Sequence, residues 1–130
     1  MRETAPPSGQ LPPQDVRLRD GSLIELVAPA IAASQRHLAA HPEERERYAP
    51  YAEDWCVHDL QWLLFWAILD ADDQGVDLPA QVDWLARVLG SRGYPLASLA
   101  DALETLADEA GSVFAGAAQR LRASAARVRP

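Results

Sequence analysis

Three histidines, one cysteine and a cluster of aspartates are the residues through which this chain could do chemistry. His37 and His41 lie four apart, so an unbroken helix would put both imidazoles on one face at a spacing that metals use. No cysteine or acid falls at a matching turn to serve as a third ligand, and Pro42 should lead His41 out of the helix. Capping and surface roles are therefore expected for the pair, with metal or haem ligation as the alternative. The run Asp70-Ala71-Asp72-Asp73-Gln74-Gly75 matches the first half of a calcium loop, with oxygen ligands at positions one, three and five and glycine at six. Its second half departs from the pattern, because Asp77 takes an apolar position and Gln81 stands where a bidentate glutamate belongs. A solvated loop between helices is the reading, with no metal site assigned. Cys56 and His58 are two residues apart and so point about 200° away from each other on a helix, which excludes a direct thiolate–imidazole pair between them. With no serine-centred elbow and no glycine-rich phosphate loop, the sequence supports no catalytic residues.

The most distinctive chemistry is aromatic. In a helix at 100° per residue, Trp55, Trp62 and Trp66 fall within about 20° of one line, with Tyr51 and Asp59 flanking them. Val57, Leu60, Leu64 and Ile68 occupy the opposite side. Indoles offer large apolar area with a single donor each, which suits a core, a flat hydrophobic ligand or a partner helix. Asp59 on that face needs a partner if it is buried, either an arginine such as Arg36 or Arg92 or an indole N–H. The candidate ligand- or partner-binding set is thus Tyr51, Trp55, Asp59, Trp62 and Trp66.

The elements that must position these residues are helical. Residues 1–16 carry Pro6, Pro7, Pro12 and Pro13 without apolar periodicity and read as a flexible tail, followed by one domain over 17–130. Ser22 three residues before Glu25 suggests a capping box and a first helix, with Pro29 either kinking it or opening a new one. Pro42, Glu43 and Glu44 start a short connector that Pro50 ends. The tryptophan helix runs from Tyr51 to Asp70. Apolar on both faces, it should be the central element with the other helices packed about it. Pro79 opens a helix carrying Val82, Leu85, Val88 and Leu89 that stops between Gly90 and Gly93. Leu96, Leu99, Leu103 and Leu106 mark the next, ending at Gly111, and Ser112 is placed to cap the last. No segment shows the alternation of a half-buried strand. The expectation is an all-α fold of five to six helices, globin-like or an irregular bundle around the central apolar helix.

Composition narrows the function classes. The 130 residues suit one domain, and 48% of them are hydrophobic, enough for a core without disulfides. A net charge of −7 disfavours nucleic-acid and anionic-membrane binding through bulk electrostatics. The longest apolar run, Trp62 to Leu69, is far short of the roughly 20 residues that span a bilayer. The lone Cys56 and the absence of a secretory layout at the N-terminus lead to an expected cytoplasmic setting.

From Glu53 onward the sequence resembles a helical, globin-like family found in bacteria as regulatory or sensory segments beside cobalamin-binding or stress-signalling modules. Cys56, Asp59 and Leu60 carry the resemblance in the central helix, followed by Trp84, Leu85, Leu89, Arg92, Gly93, Tyr94 and Pro95, then Leu99, Leu103 and Leu106. It covers about half the chain. Where similar sequences tend to place a histidine in the central helix, this one has Leu63. The resemblance implies a sensor or interaction domain without catalytic residues of its own. The expected function is accordingly a non-enzymatic regulatory or interaction module acting through the tryptophan face, on a protein partner or as a homodimer. A protein carrying a tetrapyrrole or lipid in a cavity against that face is the alternative. No resident cofactor is expected.

Overall fold

A computed structural model describes residues 5–6 and 11–130. Half of the expected flexible tail, residues 1–4 and 7–10, lies outside the described residues. Among the described residues six helices carry the fold: α1 (Val27–Ala40), α2 (Pro42–Arg47), α3 (Ala52–Ala71), α4 (Leu78–Ser91), α5 (Leu96–Ala110) and α6 (Ala115–Val128). The architecture is an all-α bundle, as the periodicity predicts.

α3 is the central element. It touches each of the other five helices, and Asp54 is its one exposed residue. Leu60, Leu63, Leu64, Ala67 and Ile68 are buried within it. The reason is the one legible in the sequence: a helix apolar on opposed faces has no side to offer water, so it is stable only when others wrap it. α5 and α6 pack through alanines, with Ala100, Ala107, Ala110, Ala117 and Ala125 all fully buried. These short side chains let two helices approach closely with little rotamer entropy to lose.

The N-terminal region differs from the expectation. Residues 23–25 are a strand, β2 (Leu23–Glu25), paired antiparallel with β1 (Asp15–Arg17) so that Val16 faces Ile24. Both of those residues are buried in the core while their neighbours are exposed. Ser22 sits in the hairpin turn beside Gly21, whose φ of 91° is one that glycine tolerates. Glu25 is the group that caps α1, its carboxylate accepting from the N–H groups of Val27 at 2.8 Å and Ala28 at 3.1 Å. Pro29 falls in the first turn of α1, where its missing N–H costs nothing. Order also begins before residue 17: Pro12 is buried, and Gln61 donates to the Pro13 carbonyl at 2.7 Å.

The remaining joints follow their local chemistry. Asp77 caps α4 by accepting from the Ala80 N–H. Ser112 does not cap α6, because its hydroxyl donates to the Glu109 carbonyl at 3.3 Å and Phe114 takes the cap position without a side-chain bond. The arginines of α6 and of its C-cap reach across to neighbouring helices: Arg127 to Asp83 of α4 at 2.8 Å, Arg122 to Asp108 of α5, and the capping Arg129 to Asp101 and Glu104 of α5. No helix among the described residues is long and apolar enough to cross a membrane.

Candidate functional site

The tryptophan helix presents its predicted face in two parts. Trp55 and Asp59, near the N-terminal end of α3, line a cleft of about 50 Å³ whose wall includes Leu60, Leu63, Leu85 and Leu89. Trp62 and Trp66 lie further along and form an aromatic layer, with ring centroids 5.6 Å apart and planes inclined by 31°. Phe65 meets Trp62 edge-on at 5.9 Å. Tyr51, the remaining predicted residue, is half-buried at the N-cap of α3. The structure therefore brings Trp55 and Asp59 together at the cleft and does not place Tyr51, Trp62 or Trp66 in its lining.

Asp59 takes a hydrogen bond with its neighbour, His58 Nδ1 to Asp59 Oδ1 at 3.2 Å, and the His58 ring stands edge-on to Trp55 at 5.4 Å. Arg36, one of the arginines expected to reach Asp59, pairs instead with Asp108 and Glu109 of α5. The opposed directions expected of Cys56 and His58 appear as a division of surface. Cys56 lines the cleft, whereas His58 lines a broader, shallower depression of about 420 Å³ beside Pro12 and Ile31.

Two groups that sequence spacing missed complete the cleft. Glu44, read in the sequence as an acid of a helix first turn, is buried. Its carboxylate accepts from the Tyr94 hydroxyl and bonds to His37 Nε2 at 2.8 Å. Burial pushes the Glu44 carboxyl up, but the hydrogen bonds from His37 and Tyr94 and the charges of His37 and His41 outweigh it and hold the group below its ordinary value. Burial drives the Tyr94 phenol well above its ordinary value, reinforced by the Glu44 carboxylate, so it remains a hydroxyl and a donor. The Tyr48 ring, 6.3 Å from that of Tyr94, also lines the cleft and carries the Arg47 guanidinium 5.4 Å above it.

The histidine pair also differs from its expected surface role. His37 is buried, with its side chain 1% exposed, and its ring stacks on that of His41 at 4.4 Å. The acid absent at a matching turn comes from α2: Glu44 Oε2 lies 3.5 Å from His41 Nδ1. The other face of His41 meets Asp101 of α5, Nε2 to Oδ2 at 3.2 Å. The only advance signal for these contacts was the single residue between α1 and α2, which folds the two helices into a corner.

The aspartate loop after α3 is held by the protein's own donors. Asp70 accepts from the Leu78 N–H at 2.7 Å and from Arg120 at 3.2 Å. Asp72 accepts from the Arg19 N–H and from Gln74.

No family model matches the chain, and neither a curated protein nor a solved structure shows a significant match to it.

Proposed function

We propose that the chain is a non-enzymatic sensory and interaction module whose sensing element is the cleft beside Trp55. The observation that carries this reading is the combination of an apolar wall with four oxygen-bearing side chains, Glu44, Tyr48, Asp59 and Tyr94, in one small cleft. Binding sites are commonly built this way, with apolar surface for affinity and a few placed polar groups for orientation. A volume of about 50 Å³ exceeds the space of a single water, which needs about 10–15 Å³ on this measure. It selects a small molecule bearing a hydroxyl or amine, and a tetrapyrrole or long-chain lipid would need more room. The sensory role agrees with what the resemblance carried in part by Cys56, Asp59 and Tyr94 implies. A module without chemistry of its own passes its signal on by contact with a protein partner.

Titration with phenol and with indole, read by tryptophan emission and by thermal unfolding, tests the assignment. Saturable binding is expected, with stabilisation of roughly 2–3 kcal/mol at a ligand concentration about a hundred times Kd. Ala102→Val places extra methyl groups in the cleft and should abolish both responses while leaving the helical circular dichroism unchanged. Absence of a saturable response in the native chain, or an equal response in the variant, overturns the reading.

A further inference from the structure

We propose that His37, His41 and Glu44 form a binding site for a divalent transition metal, with zinc the ion their chemistry suits best. The ligand atoms are His37 Nε2, His41 Nδ1 and Glu44 Oε2. One ligand atom from each residue lies within 4.8 Å of the other two. Glu44 Oε2 is 2.8 Å from His37 Nε2 and 3.5 Å from His41 Nδ1. A tetrahedral ion with bonds of about 2.0–2.1 Å holds its ligands roughly 3.3 Å apart, so the two separations from Glu44 Oε2 change by about half an ångström or less, and the imidazole nitrogens, within 4.8 Å of each other, draw together on the ion. The ion takes the place of the proton that Nε2 of His37 and Oε2 of Glu44 share.

The surrounding groups are those a metal site requires. Metal-bound imidazoles usually give their second nitrogen to a carboxylate, which fixes the ring. Asp101 does this for His41 through Nε2, while Nδ1 faces Glu44 Oε2 and the exposed Glu43 carboxylate, whose Oε1 lies 3.2 Å away and is displaced or joins the ion as a further ligand. Tyr94 does the corresponding work for Glu44: its hydroxyl engages Oε1 and leaves Oε2. His37 has no such partner, its Nδ1 being buried without a hydrogen bond, which weakens the affinity. Side-chain exposures of 1% for His37, 10% for Glu44 and 17% for His41 set the cluster apart from surface residues that chelate by chance. Two imidazoles and one carboxylate favour zinc and its neighbours over calcium or magnesium, which take oxygen ligands.

The test uses the untagged full chain, stripped of metal, titrated with cobalt(II) as a visible probe and with zinc against a chromogenic chelator. One equivalent of each ion should bind, with cobalt giving the intense visible bands of tetrahedral coordination. His41→Gln and Glu44→Gln should each weaken binding at least tenfold and remove those bands, and Asp101→Asn should weaken it about tenfold through the ring of His41. Asp72→Asn, in the aspartate loop, should leave binding unchanged. If Glu44→Gln fails to fold, as judged by circular dichroism, the partly exposed His41→Gln still decides. Absence of tetrahedral cobalt bands, or equal affinity in native chain and His41→Gln, overturns the proposal. Because Glu44 belongs to both sites, the phenol titration is run on the metal-free chain, where failure of the cleft reading and failure of metal binding are told apart.

Discussion

Glu44 joins three parts of the chain through one carboxylate. Its partners are His37 of α1 and Tyr94, 50 residues away in the turn between α4 and α5. Removing the hydroxyl in Tyr94→Phe leaves a buried acceptor short of a donor, which should cost about 1–3 kcal/mol in urea unfolding. The pH dependence has a definite sign. Because the folded-state pKa of Glu44 lies below its ordinary value of 4.5, its contribution to stability is present above that value and is lost as pH falls through the folded pKa. In Tyr94→Phe one lowering influence disappears, so the remaining contribution shrinks and its loss begins at higher pH. Unfolding curves of both proteins between neutral pH and pH 3 test this, and an unmoved acid limb contradicts it. Glu44 itself could be read in the sequence only as an acid suited to a helix start. Its role depends on a tyrosine far along the chain, and no local spacing carries that information.

Helices proved more legible than the short strands. Each long helix repeats its apolar positions over three or more turns, whereas β1 and β2 have three residues each, too few for an alternating pattern to register. Ser22 and Glu25 fit a capping box by spacing, yet pairing of Val16 with Ile24 commits the segment to a hairpin, and Glu25 serves the helix that follows. Glycine positions separate packing from propensity at this scale. A Cβ at Gly116 of α6 would lie 3.2 Å from the Ala71 Cβ at the end of α3. Gly116→Val should therefore destabilise by roughly 1–3 kcal/mol through overpacking. Gly90, in the last turn of α4, has nothing within 4 Å of a built Cβ. Gly90→Ala should stabilise by about 0.4–1 kcal/mol through reduced unfolded-state entropy. Opposite shifts in the denaturation midpoint are the expected result, and equal shifts would mean that the α3–α6 crossing is looser than its geometry.

At the scale of the molecule, stability is concentrated around α3 and the charged surface contributes little. Leu64 is fully buried at the middle of that helix, and Leu64→Ala should cost about 2–5 kcal/mol. The Arg127–Asp83 pair lies at the solvent-exposed surface, and Arg127→Ala should cost far less than Leu64→Ala. Thermal melts of the two variants give the comparison, and a similar loss in both would show that the helices are held by their charges. The bundle and its central helix were readable because burial of apolar surface dominates at this scale. The cleft was readable only in part: Trp55 and Asp59 share a helix with their pattern, while Leu85, Leu89 and Tyr94 arrive from elements whose placement depends on the whole packing.

The Trp62–Trp66 pair gives the protein an optical property of its own. Two indoles held at 5.6 Å with a fixed tilt exchange excitation, so their ultraviolet transitions split into bands of opposite handedness that neither ring shows alone. The difference in circular dichroism between the native chain and Trp66→Phe isolates that couplet from the helical signal. It reports whether the rings around α3 are locked in register, as distinct from whether the backbone is helical, and so marks the point at which a collapsed chain becomes this particular fold.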